Sequence, residues 1–157
     1  MKIIHIITSL LDGGAEGVLF RLCCKDKMNQ HLIVSLRDEG KYGKLLSKNG
    51  IKVYTLNMMP GRFSFLALYK LIRIIKSEKV NIVQTWLYHA DFFGGVASRL
   101  AGNKNLIWNI RHSNFDKNYP NKNLLILVKL LANLSFFLPK KMIFCSKNSI
   151  KIHKKIG

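Results

Sequence analysis

The sequence predicts an α/β fold, a doubly wound, Rossmann-like domain with a mostly parallel sheet. Apolar runs of strand length alternate with helix-period segments from end to end, the pattern of βαβ units. A paired glycine, Gly13-Gly14, marks the passage from the first strand into the first helix. At 157 residues the chain is the size of one domain, long enough to bury a core without disulfide staples.

Each element follows in order. The run KIIHIIT, Lys2 to Thr8, is the first strand, and the helix-period segment after the glycines covers Ala15 to Asp26. His31 to Leu36 and Lys52 to Leu56 are the next strands, separated by a helix from Tyr42 to Asn49. Phe63 to Ser77 is a helix whose Phe65, Leu68, Tyr69, Leu71, Ile72 and Ile75 recur at helical spacing and make it amphipathic. Val80 to Thr85 is a strand, Tyr88 to Ala101 a helix, and Asn105 to Ile110 a strand. The run NLLILVKLLANLSFFL within Asn123 to Leu138 is helical and apolar almost all round, and Lys141 to Cys145 is the last strand. Ser146 is placed as the N-cap of a closing helix that begins at Lys147. Internal repeats and low-complexity linkers are absent from the sequence.

The net charge of +18 calls for an anionic partner: nucleic acid, a membrane face or a phosphorylated substrate. Compositional background is the competing explanation, since the basic residues are spread along the chain. Lys70, Arg73 and Lys76 recur every third residue of the third helix and, with the apolar helix around Leu124 to Leu138, give an expected contact with an anionic membrane surface. That apolar run is shorter than the roughly twenty residues a span requires and carries Lys129 and Asn133, so it reads as a buried or surface helix. Cys23, Cys24 and Cys145 form no disulfide framework, which fits a reducing cytoplasm. The start, MKIIHII, lacks the form of a signal peptide and reads as part of the fold.

A strand that turns through Gly13 and Gly14 into a helix presents backbone N–H groups to an anion. A dinucleotide fingerprint requires G-x-G-x-x-G, and here Asp12 replaces the first glycine of Asp12-Gly13-Gly14-Ala15-Glu16-Gly17. Glu16 suits the helix dipole but would repel a pyrophosphate on the same N–H groups.

The opening KIIHIITSLLDGGAEGVLFRL resembles the first βα unit of family 4 glycosyltransferases of the GT-B fold, bacterial enzymes that build lipopolysaccharide, capsule and related glycans. NIVQTWLYHADFFGGVASRLAG resembles their fourth strand and following helix, and MIFCSKNSIKIHKKIG the segment closing their N-terminal domain. The resemblance implies that residues 1–157 are one N-terminal, acceptor-side domain and that the C-terminal donor-binding domain is absent from this chain. It implies that Gly13 and Gly14 close over the phosphates of a nucleotide sugar held mainly by the other domain.

His89 follows the fourth strand at the carboxyl edge, where ligands of α/β sheets bind. The resemblance gives it a catalytic, sugar-contacting role; a helix-capping histidine is the alternative. Many relatives carry a first histidine at the position of Trp86, which leaves Trp86 a candidate for substrate binding. Asp91 is a second candidate, or only an acid favoured by the helix dipole. Arg111 and His112 lie just past the fifth strand, and Arg111 is suited to a phosphate because its guanidinium is always charged and forked. A surface ion pair is the alternative for Arg111. His5 alternates with core positions and reads as a satisfied core histidine, whereas His31 and His153 carry no signal. The sequence shows neither zinc-ligand spacing nor a readable Ser-His-Asp arrangement, so no metal is expected.

The expected function is therefore the acceptor-side half of a glycosyltransferase that moves a sugar from a nucleotide donor to a lipid-linked or surface glycan. The resemblance implies retention at the anomeric carbon without a metal or other cofactor. The expected location is the cytoplasm, peripherally on the inner face of the membrane, with a separate donor-binding domain as a further partner. The alternative is a non-catalytic basic module binding anionic membrane or nucleic acid, although zinc-finger, RNP-type and G-x-x-G motifs for nucleic acid are missing. A dinucleotide-binding Rossmann domain ranks behind it: Asp38 sits where a ribose-binding acid belongs, but Asp12 and Arg37 weaken the match.

Overall fold

The computed structural model describes residues 1–111 and 122–156. The elements are β1 (Lys2–Ile7), α1 (Gly14–Lys25), β2 (Gln30–Ser35), α2 (Gly40–Lys48), β3 (Lys52–Thr55) and α3 (Phe65–Ser77), then β4 (Ile82–Trp86), α4 (Tyr88–Leu100), β5 (Leu106–Ile110), α5 (Lys122–Leu134), β6 (Lys141–Phe144) and α6 (Lys147–Ile156). The strands form one sheet in the order β3-β2-β1-β4-β5-β6, every ladder parallel. The doubly wound domain expected from the alternation is the fold observed. Its order reverses between β1 and β4, and a crevice opens beyond the carboxyl ends of strands at such a reversal.

The two faces of the sheet carry separate cores because strand side chains alternate. Ile4, Ile6, Leu32, Val34, Val83, Leu106 and Trp108 face α3, α4 and α5, which contribute Leu71, Ile75, Phe93, Ala97, Val128 and Leu131. Ile7, Ile33 and Trp86 face α1 and α2, with Leu19, Cys23 and Leu46. The parallel sheet is covered on both sides, which is why its central strands are continuous apolar runs. Helix α4 lies close on the sheet through Gly94, where a Cβ would come within 2.7 Å of Thr85 Cγ2 and 3.0 Å of Ile6 Cδ1.

Two helices depart from the sequence reading. Ser64, and not Phe63, starts α3: its hydroxyl accepts from the Ala67 N–H at 3.2 Å, as an N-cap does. The buried stripe of that helix is Ala67, Leu71 and Ile75, while Phe65 and Tyr69, expected on the apolar face, are 81% and 58% exposed. Helix α5 ends at Leu134, short of Leu138, because Arg99 of α4 donates to the carbonyls of Phe137 and Leu138 at 2.7 and 2.6 Å and holds that segment as a turn. Ser146 caps α6 as expected, its hydroxyl accepting from the Ser149 N–H at 3.0 Å. Among the described residues no helix is long and apolar enough to cross a membrane.

Candidate functional site

Gly13 is the N-cap of α1, and Gly14 is its first residue, just past the carboxyl end of β1. The two acids beside them are accounted for separately. Asp12 turns outward to Lys41 of α2, with Nζ and Oδ2 2.7 Å apart. Glu16 is buried, accepts from the Ser9 hydroxyl at 3.4 Å, and lays its carboxylate over Gly13, where a Cβ would collide with it. A negative charge therefore already occupies the N-cap, and a pyrophosphate in the dinucleotide position would be repelled. Gly14 faces open space.

Across the sheet reversal, β4 ends at Trp86 and passes into α4 through Leu87, whose φ of 73° and ψ of 150° form a conformation nearly reserved for glycine. Such strain costs about 1–3 kcal/mol and gathers at functional sites. Leu87 directs the first turn of α4, so His89 is exposed at the carboxyl edge while Asp91 turns inward. Partial desolvation holds the His89 imidazole below its ordinary value, which keeps it neutral at pH 7. Asp91 is fully buried and accepts from the Thr85 hydroxyl at 2.5 Å. Burial raises its carboxyl well above the usual carboxylate range, against the opposing hydrogen bond from Thr85.

Arg111 follows β5 and lays its guanidinium 4.9 Å from the centre of the Trp86 ring. Among the described residues it has no acidic partner, and its Nε is buried and unpaired. Thr8 Oγ1, Ser35 Oγ, Asp91 Oδ2 and Asn109 Oδ1 are likewise buried without partners, all at or near the carboxyl ends of strands. Buried polar atoms are normally satisfied, so this concentration marks the edge where a ligand or water completes the bonding.

Trp86 itself is 1% exposed. Its indole N–H donates to His5 Nδ1 at 3.2 Å, and His5 Nε2 lies 3.0 Å from His31 Nδ1. Because Nδ1 of His5 accepts, its Nε2 carries the proton and donates to His31, whose Nε2 in turn lies 3.3 Å from Asp26 Oδ2. His5, His31 and Cys23 also bring ligand-type atoms within 4.8 Å of one another. A His5 Nε2 that donates a proton is not free to ligate, and burial pushes the Cys23 thiol up to about 12. Trp86, His5 and His31 therefore form a buried hydrogen-bonded chain in which burial disfavours a charge on His5, and the reading of His5 as a satisfied core histidine holds.

The structure thus brings Gly13, Gly14, His89 and Arg111 to the carboxyl edge, with Trp86 beneath Arg111 and Asp91 beneath His89. His112 lies outside the described residues. Sequence reasoning missed His31, Leu87 and His153. The His153 ring nitrogens lie 2.7 Å from the Tyr88 hydroxyl and 2.7 Å from the Ser149 carbonyl oxygen, tying α6 to the start of α4. His31 was detectable only through strand register, because it pairs opposite Ile3, two places from His5 on the same face.

No protein-family model matches the chain, nor does any curated protein sequence. Solved structures do. Anabaena HepE in complex with UDP superposes with a TM-score of 0.82 at 19% identity, over 100% of this chain and 41% of that one. The chain has the fold of the N-terminal half of the GT-B enzymes. MurG of Acinetobacter baumannii matches with a TM-score of 0.62 at 18% identity, over 94% of this chain and 42% of that one. A UDP-N-acetylglucosamine 2-epimerase matches with a TM-score of 0.64 at 14% identity, over 99% of this chain and 44% of that one. The chain thus spans about two fifths of the length of these GT-B structures, whose members include glycosyltransferases and related UDP-sugar enzymes.

Proposed function

We propose that this domain is the acceptor-side wall of a retaining, metal-independent glycosyltransferase resembling family 4, which moves a sugar from a nucleotide donor to a lipid-linked or surface glycan. The observation that carries the reading is Arg111 on the Trp86 ring, without an acidic partner among the described residues, at a carboxyl edge rich in polar atoms that no described residue satisfies. Departure of a nucleoside diphosphate builds negative charge on its phosphate oxygens, and a fixed, partly desolvated guanidinium stabilises that charge as it forms. The N–H groups at Gly14 add a second, weaker attraction from the start of α1. His89, neutral and exposed on the same edge, is placed to contact the sugar. The free thiols of Cys23, Cys24 and Cys145 suit action on the cytoplasmic side.

Rate acceleration requires donor and acceptor to be held together, and such positioning is worth about 7–11 kcal/mol. The 157-residue chain tested alone has one wall of the cleft and should turn over no nucleotide sugar. Supplied with a GT-B donor-binding domain, it should transfer sugar, and His89→Ala and Arg111→Ala should each lower the rate while leaving the melting temperature unchanged. Steady turnover by the 157-residue chain alone would overturn the two-wall architecture. Unchanged rates in both variants would remove these residues from the site.

A further inference from the structure

Four side chains make a diagonal row across the α1 side of the sheet, on the adjacent strands β2, β1 and β4 and at the end of β5. His31 pairs opposite Ile3, His5 lies two residues further along β1, Trp86 pairs opposite Ile7, and Arg111 lies two residues beyond Asn109, the partner of Trp86. Two residues is the repeat that returns a strand to the same face, so each member stands one step nearer the carboxyl edge than the last. The row is joined along its length. His5 Nε2 lies 3.0 Å from His31 Nδ1, the Trp86 indole N–H donates to His5 Nδ1 at 3.2 Å, and the Arg111 guanidinium lies over the Trp86 ring at 4.9 Å from its centre.

We infer that His5 is a positioning residue for Arg111, acting through the Trp86 ring, with His31 setting the tautomer that lets it do so. Among the described residues Arg111 has no acid to hold its guanidinium, so the face of Trp86 is the contact that places it. The ring in turn needs placing. Rotation about the bond to an aromatic ring is broad and soft, and Ile7, Leu10 and Leu19 in the surrounding core fill space without directing it. The indole N–H is the ring's one polar atom, and its bond to His5 fixes which way the face turns. His5 can accept there only with its proton on Nε2, and Nδ1 of His31 holds that proton in place. Donation by the indole N–H also leaves the ring richer in electrons, which strengthens its hold on a cation. Stability does not account for the row, because paired buried polar groups and apolar groups of the same shape serve a core about equally. What a satisfied buried network supplies is a single arrangement. The positioning role rests on the reading of Arg111 as the group that meets the donor phosphates, and it makes two buried histidines beneath the site determinants of its rate.

The test is a double-mutant cycle on sugar transfer by the 157-residue chain supplied with a GT-B donor-binding domain. His5→Phe keeps a ring in the core and removes the acceptor. It should lower kcat by about ten- to a hundredfold, the cost of a displaced charge, with KM for the acceptor unchanged. In an Arg111→Ala background the same substitution should change kcat by less than about twofold, because no guanidinium is left to misplace. Trp86→Phe, which keeps an aromatic face without the N–H, should cost about as much as His5→Phe, and the two together no more than either alone. It carries the same cycle where His5→Phe does not fold. His5→Gln, whose amide accepts from the indole and donates to His31, should recover most of the rate. An equal loss of rate in both backgrounds would make His5 merely structural and overturn the proposal, as would an unaltered kcat in His5→Phe. The geometry is read without any transfer, in nitrogen-15 spectra of the 157-residue chain. The Arg111 Nε proton, assigned by its loss in Arg111→Ala, should be shifted upfield by the Trp86 face and return downfield in His5→Phe; an upfield shift that survives would refute the positioning. An unchanged rate in Arg111→Ala would overturn the reading of Arg111 as the phosphate contact and leave the positioning to these spectra, so the two fail separately.

Discussion

Gly40→Ala tests how the glycine loop is held in place. Gly40 opens α2 with a φ of +55°, and a Cβ there would run into the carbonyl of Leu10, with Leu10 C at 2.5 Å and Leu11 N at 2.9 Å. The left-handed backbone alone costs a residue with a Cβ about 1–2 kcal/mol. Relief of the clash requires Leu10 and Leu11 to move, loosening the Tyr42 N–H to Leu10 carbonyl hydrogen bond of 2.9 Å, worth about 0.5–1.5 kcal/mol. Overpacking adds about 1–3 kcal/mol, and the stiffer unfolded chain returns about 0.4–1. The net loss is about 3 kcal/mol, or roughly 6–12 °C in melting temperature for a domain of this size. Gly50→Ala is the control, because its φ is +75° but nothing lies within 4 Å of the added carbon. It should lose about 1 kcal/mol or less, the conformational part alone. Thermal melts followed by circular dichroism measure both. Equal losses in the two variants would refute the steric argument and detach α2 from the loop that carries Gly13 and Gly14.

Two pH dependences follow from the buried groups. Asp91 is held protonated by burial, so its contribution is full below the ordinary carboxylate range near pH 4 and declines as pH rises toward its raised folded value. Asp91→Asn should flatten that decline in stability between pH 4 and 8, and denaturant curves parallel to those of the unmodified protein would contradict it. Burial first, and then the neighbouring His31, lower His5 from 6.5 to about 3 against the weaker pull of Asp26. Its contribution is therefore present above pH 6.5 and lost as pH falls toward 3, because the unfolded chain takes up a proton that the folded one refuses. Nitrogen-15 spectra should show His5 neutral with the proton on Nε2 from pH 8 down to 4; a transition near pH 6.5 would break the chain running from Trp86 to His31.

Much of the fold was legible because it is written locally. A run such as HLIVSL is apolar on both faces only in a strand covered on both sides, and the periodicity of α4 and the hydroxyl of Ser146 mark helix bodies and ends within a few residues. Gly13, Gly14, His89 and Arg111 were legible as candidates for the same reason, since each follows a strand and a parallel sheet brings all carboxyl ends to one edge. What the chain could not display locally were relations between strands far apart in sequence. The position of Trp86, beneath Arg111 and bonded to His5, depends on β4 lying between β1 and β5. Asp91 and His89 are two residues apart, yet the strained turn at Leu87 sends one into the core and leaves the other in solvent. The apolar pattern of α3 likewise implied a buried Phe65 and Tyr69, because helical spacing gives a stripe and not its width. Only the packing of α3 against the sheet and α4 determined that Ala67, Leu71 and Ile75 fill the interface and that the aromatic side chains remain outside.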